Sequence, residues 1–100
     1  MSHEPEYTDW QQILELIRTS VDSQQHEMFL TMLMTPDERD SLIARVNILN
    51  ELLKGELSQR QISQMLGVGI ATITRGSNEL KSKTDKEKDQ LKALLEPVAQ

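Results

Sequence analysis

The chain has 100 residues, of which 37% are hydrophobic and three are aromatic, with no cysteine and a formal net charge of −5. A length of this order is one domain, with a thin core if it stands alone. Disulfides, thiolate zinc sites and thiol nucleophiles are excluded. No apolar run approaches the ~18–20 residues of a membrane span, and the N-terminus lacks the basic start and apolar core of a signal peptide, so a cytoplasmic protein without membrane contact is expected.

Taken in order, residues 1–7 are polar, include Pro5 and read as a flexible arm; residues 8–100 read as a single domain. Thr8 and Gln11 have the spacing of a capping box. The helix that follows places Trp10, Ile13, Leu14, Ile17 and Val21 on one face, and Asp22 to Gln25 break it. The next segment, Met28 to Met34, is apolar nearly all round. Such a helix is enclosed on every side, which a small domain cannot do by itself, so a partner chain is implied. Thr35-Pro36-Asp37-Glu38 is a strong helix start, with Thr35 as cap, Pro36 in the first turn and Glu38 closing the box. That helix should run to Lys54 and stop at Gly55. Leu42, Val46, Leu49 and Leu53 form its stripe, while Ile43, Ile48 and Leu52 widen it beyond one face. Arg45 lies in this apolar setting, where an arginine ordinarily snorkels to water.

Gln59 to Arg75 reads as two short helices around a glycine turn. Ser58 and Gln61 form a capping box, Ile62 and Leu66 share a face, and Gly67 supplies a left-handed turn. Val68 fills the angle, Gly69 opens the second helix and Ile73 points inward. Ile70, Ala71, Thr72 and Thr74 remain outward, small or methyl-bearing, as suits a helix entering a DNA major groove. An ordinary αα-hairpin satisfies the same pattern. Gly76, in mid-helix, costs ~1 kcal/mol relative to alanine, so either close helix packing or a ligand against the backbone must require it. Thr84 and Glu87 form a further box before a helix carrying Leu91, Leu94, Leu95 and Val98, frayed at Pro97. Six helices are expected, with no strands and no repeats.

Charge is unevenly distributed. Leu57 to Thr84 holds Arg60, Arg75, Lys81 and Lys83 against Glu79, a balance of +3, leaving −8 for the remainder. An acidic body with one basic segment weakens indiscriminate DNA adhesion while keeping a directed patch. Nothing points to catalysis or to a metal. His3 and His26 lack metal-ligand neighbours, no Ser/His/Asp set exists, and Gly67-Val68-Gly69 is too short for a phosphate loop.

Three stretches resemble the bacterial Trp repressor family: Met32-Leu33-Met34-Thr35-Pro36-Asp37-Glu38-Arg39, Leu52-Leu53-Lys54-Gly55-Glu56-Leu57-Ser58-Gln59-Arg60, and Leu66 through Asn78. The similarity runs with even spacing from about Trp10 to Lys81, and Gly69 to Asn78 is very specific to that family. The family is itself a standard example of a helix-turn-helix reader with a largely water-mediated interface. The resemblance implies an all-α, six-helix intertwined homodimer with a helix-turn-helix head, about 59–82, on each subunit. It also implies L-tryptophan as corepressor and a pseudo-palindromic double-stranded operator of tryptophan-biosynthesis genes as target.

Roles carry over onto the matching residues. Arg45 and Arg75 would lie on the two faces of the indole, Arg75 also taking the carboxylate, a pair of tasks suited to planar guanidinium. Backbone carbonyls near Met32 and Met34 of the other subunit would take the ammonium, with Thr35 beside them. Leu49 would line the pocket and Gly76 would leave room for the ring. Arg60 would read guanine; Ser58, Gln59 and Lys81 would hold phosphates; Gly69, Ile70, Ala71, Thr72 and Thr74 would form the reading surface. Two positions depart from the family. A lysine is expected where Ser63 stands. A small hydroxyl residue is expected where Glu79 stands, and Glu79 pairs either with the ligand's ammonium, the expected partner, or with Arg75. Two other functions remain compatible with the residues: a ligand-independent DNA-binding domain of the same superfamily, and a helical dimer that binds only protein.

Overall fold

A computed structural model describes residues 3–96. Met1 and Ser2 of the expected arm, and Pro97 and Val98 at the far end, lie outside the described residues. The described residues form six helices and no strand: α1 (Trp10–Asp22), α2 (His26–Leu33), α3 (Pro36–Lys54), α4 (Gln59–Leu66), α5 (Ile70–Lys81) and α6 (Asp85–Leu95). They divide into two compact units, one ending at Arg39 and one beginning at Asp40.

In the first unit α1 packs against α2. The cap of α1 is Asp9, one residue later than expected. Its carboxylate accepts the Gln12 amide at 2.8 Å, and the Gln12 carboxamide oxygen accepts the amides of Thr8 at 2.6 Å and Asp9 at 3.1 Å. Asp displaces Thr because an ionised oxygen is the stronger acceptor at a positive helix end. The break between α1 and α2 is made without glycine. Gln24 takes a left-handed conformation at φ 59°, and the Gln25 amide donates back to the Ser20 carbonyl at 2.7 Å.

Neither helix of this unit is enclosed as the apolar pattern requires. Ile13 and Ile17 are half-buried, but Trp10, Leu14 and Val21 are exposed. No residue of α2 is buried, and Met32 is 77% exposed. The chain by itself therefore leaves Met28 to Met34 unenclosed, as expected of so small a domain. Two helices of 13 and 8 residues cover only one side of each other.

The second unit holds the core. Thr35 caps α3 as expected: its hydroxyl accepts the Glu38 amide at 3.1 Å, and the Glu38 carboxylate accepts the Thr35 amide at 2.8 Å. The buried face of α3 is not the Leu42–Val46–Leu49–Leu53 stripe. Leu42 and Val46 are exposed, whereas Ile48 is buried, with Leu52 packed on the same cluster. Ile48, Ile62 and Ile73, from three different helices, form the centre, flanked by Leu52, Leu57, Leu66 and Val68. Each fully buried isoleucine contributes about 1.5–3 kcal/mol. The inward residues Ile62, Leu66, Val68 and Ile73 therefore meet as the sequence pattern requires, with α3 supplying the surface they close on.

Candidate ligand cleft and nucleic-acid interface

Around the turn, α4 and α5 are fixed by backbone and side-chain bonds together. Ser58 and Gln61 form the expected capping box at 3.1 and 2.8 Å. Gly67 ends α4 at φ 67°, a conformation that costs other L-residues roughly 1–2 kcal/mol. The Ser63 carbonyl accepts the Gly67 amide at 2.9 Å and the Val68 amide at 3.2 Å, while the Ser63 hydroxyl donates to the Val68 carbonyl at 2.5 Å. Ser63, where the family resemblance calls for lysine, is thus committed to the turn. Across the pair, the Thr74 hydroxyl donates to the Gln59 carboxamide oxygen at 3.1 Å.

The outer surface of this pair carries the residues expected to meet DNA. Ser58, Arg60, Gly69, Ile70, Ala71, Thr74 and Lys81 are exposed, and Gln59 is half-buried. Gly69 opens α5 with no side-chain cap, so the amides of its first turn keep no side-chain acceptor there. Unpaired amides at a helix start favour an anion. The Ser58 hydroxyl accepts the Gln61 amide, which leaves its proton available to donate. Lys81 borders a second groove with Lys88 and Lys92.

Behind this surface lies a cleft of about 510 Å³. It gathers five of the residues expected at the ligand: Arg45 and Leu49 from α3, and Arg75, Gly76 and Glu79 from α5. Thr72, expected on the reading surface, is half-buried and lines the cleft too. Ile48, Leu80, Lys83 and Leu91 complete the lining and were not anticipated. Leu80 was legible, since it follows Ile73 by two turns and Gly76 by one; Lys83 and Leu91 depend on where α6 returns. The cleft is built wholly from the second unit. Met32, Met34 and Thr35 lie in the first, where Met34 ends α2 in extended backbone.

The chemistry of the cleft is an apolar base under separated charges. Arg45, Arg75, Lys83 and Glu79 are all exposed, and the one ion pair among the described residues is Lys54–Glu51 at 3.3 Å. Arg75 and Glu79 stand one turn apart without pairing. Two planar guanidinium groups over an apolar wall suit an aromatic ring with an attached carboxylate. A Cβ built on Gly76 would stand 3.1 Å from Ile48 Cγ2 and 3.6 Å from Leu52 Cδ1. Gly76 therefore serves the packing of α5 on α3 at the same time as its backbone lines the cleft. Among the described residues no group of three His, Cys, Asp or Glu side chains is placed to hold a metal ion, and no helix is long and apolar enough to cross a membrane.

Over all 100 residues the chain is 88% identical to a Trp operon repressor homolog of Vibrio parahaemolyticus, matching 97% of that protein's length. It is 86% identical to the homolog of Vibrio campbellii, each covered in full. Over 97 residues it is 67% identical to the homolog of Vibrio cholerae, spanning 97% of this chain and 94% of the other. The family model for the Trp repressor protein matches residues 8–95, from the capped start of α1 to the end of α6. The two arginines, the wall of α3 and the glycine-turned helix pair thus lie inside one matched span, and the chain belongs to the Trp repressor protein family, whose members regulate transcription and are not enzymes.

Proposed function

We propose that this chain is a transcriptional repressor that binds operators of tryptophan-biosynthesis genes when L-tryptophan occupies the cleft. The observation that supports this reading best is the meeting of Arg45, Leu49, Arg75, Gly76 and Glu79 at one cleft of about 510 Å³. That volume lies within the ~300–1,000 Å³ of small-molecule sites. The indole lies between the two guanidinium planes, with Leu49 as wall and the Gly76 backbone as floor. Arg75 takes the carboxylate. Glu79 takes the ammonium, as a charge-assisted bond that its unpaired state leaves open.

The working protein is an intertwined homodimer. Carbonyls at Met32 and Met34, with Thr35 beside them, come to the ammonium from the second chain. Helix α2 ends there in extended backbone, and its last carbonyls carry the negative end of the helix dipole. Each subunit presents α4 and α5 as a helix-turn-helix head, within a domain spanning residues 8–100. Ligand wedged between α3 and α5 sets the pitch of both heads, so that they enter successive major grooves ~34–36 Å apart, the general spacing of such dimers. Ile70 and Ala71 face bases or ordered water, Thr74 stands on the same surface while Thr72 turns inward to the cleft, Arg60 reads guanine, and Ser58, Gln59, Lys81 and the first-turn amides behind Gly69 face phosphates.

Ligand and DNA binding are then reciprocal: tryptophan tightens DNA binding by the factor by which DNA tightens tryptophan binding. A gel shift with a tryptophan-operon promoter fragment tests this directly. Retention is expected with L-tryptophan and is much weaker without it. Equal retention in both lanes identifies a ligand-independent DNA-binding domain instead. No retention at low salt leaves a protein-binding dimer.

A further inference from the structure

We infer that Thr74 acts on DNA through Gln59, by holding the Gln59 carboxamide with its NH2 group turned outward to donate to a phosphate. The inference rests on the proposed DNA-binding reading and assigns Thr74 a positioning role in place of a direct contact. The Thr74 hydroxyl, on α5, donates to Gln59 Oε1, at the start of α4, over 3.1 Å. Among the described residues it is the one hydrogen bond between side chains of different helices.

The donor count decides what each group has left. A threonine hydroxyl has one proton, and here it is committed to Oε1. Phosphate oxygens only accept, so in this arrangement Thr74 has nothing to offer them. Gln59 is the reverse. Its oxygen is engaged, and its Nε2 keeps both protons with no acceptor among the described residues. That nitrogen is not enclosed either. Gln59 is a half-buried residue, and no unpartnered side-chain nitrogen or oxygen of such a residue is shut off from solvent. The clasp thus removes the amide's freedom to flip and presents two donors beside Ser58 and Arg60. It also ties the start of α4 to the residue preceding Arg75.

The experiment is a double-mutant cycle on the full chain with saturating L-tryptophan, using a duplex recovered by selection from random-sequence DNA with the wild-type protein. Thr74→Val removes the hydroxyl at constant shape. It and Gln59→Ala are each expected to weaken binding about tenfold. The double variant should be no weaker than Gln59→Ala by itself, and Thr74→Ser should restore binding to within about twofold. The salt dependence should keep its slope, because no charge is lost. In nitrogen-edited NMR of the free protein, the Gln59 side-chain amide should shift in Thr74→Val and return in Thr74→Ser. Losses that multiply in the double variant, or a Thr74→Val protein that binds as wild type does, overturn the inference while leaving the DNA-binding reading intact. A wild-type protein that recovers no duplex overturns both.

Discussion

Glu79 stands where the family resemblance leads to a small hydroxyl residue, and its surroundings are those of an unpaired carboxylate. It shares the cleft with three cations, Arg45, Arg75 and Lys83, yet forms an ion pair with none. An arginine preceding a glutamate by one turn is the weaker order on a helix, which agrees with the open Arg75–Glu79 spacing. If Glu79 receives the ligand's ammonium, Glu79→Ser should weaken tryptophan binding several-fold in calorimetry. Tighter binding in the variant would show that Glu79 competes for Arg75. Gly76 presents a second residue-scale balance. Alanine would gain ~1 kcal/mol of helix propensity. Its methyl would press on Ile48, which is 2% exposed and packed with Ile62 and Ile73. Overpacking costs about 1–3 kcal/mol, so Gly76→Ala should lower unfolding stability in urea by up to ~2 kcal/mol despite the better helix former.

At the scale of elements, α3 and α6 depend on reciprocal caps that carry charge. The Glu38 carboxyl is held below its ordinary value of 4.5, chiefly by the Thr35 amide and then by the Thr35 hydroxyl. The Glu87 carboxyl is lowered in the same way by the amide and then the hydroxyl of Thr84, with Lys83 adding a smaller attraction. A carboxyl whose folded value lies below its unfolded one stabilises the fold fully above about pH 4.5, and the contribution is lost as the pH falls through the lowered value. Helicity and thermal stability should therefore decline below that pH. Glu38→Gln with Glu87→Gln should flatten the decline, because a carboxamide closes the same box without titrating. An unchanged acid limb in the double variant would show that these caps carry none of it.

For the whole molecule, the decisive feature is apolar surface that the single chain leaves uncovered. Met28, Met32 and Leu33 on α2, and Leu42, Ile43 and Val46 on α3, are each between 44% and 77% exposed. Scattered exposed side chains are ordinary in soluble proteins, but two consecutive helices with such faces require a covering surface. The proposed intertwined dimer would supply it. Sedimentation should give a dimer for the wild-type chain, and Ile43→Glu should shift it toward monomer and abolish tryptophan-dependent DNA retention. A wild-type monomer at micromolar concentration that still responds to tryptophan would refute the dimeric switch.

Local chemistry was legible in the residues themselves. The boxes at Thr35, Ser58 and Thr84, the stops at Gly55 and Gly67, and the inward set Ile62, Leu66, Val68 and Ile73 rest on interactions within a few residues or on helical periodicity, and both are written in the chain. Asp9 in place of Thr8 is the one cap misread, because two acceptors stand side by side and only the helix's exact start separates them. The resemblance to the Trp repressor family supplied the ligand residues, which spacing by itself would not have chosen; Arg45 reads simply as a snorkelling arginine. What tertiary structure decided was which face of α3 is buried, that Thr72 turns toward the cleft, that Lys83 and Leu91 reach it, and that Thr74 grips Gln59 fifteen residues away. Those outcomes depend on how helices distant in sequence meet. A stripe wider than one face permits more than one such meeting, and only the packed helices select among them.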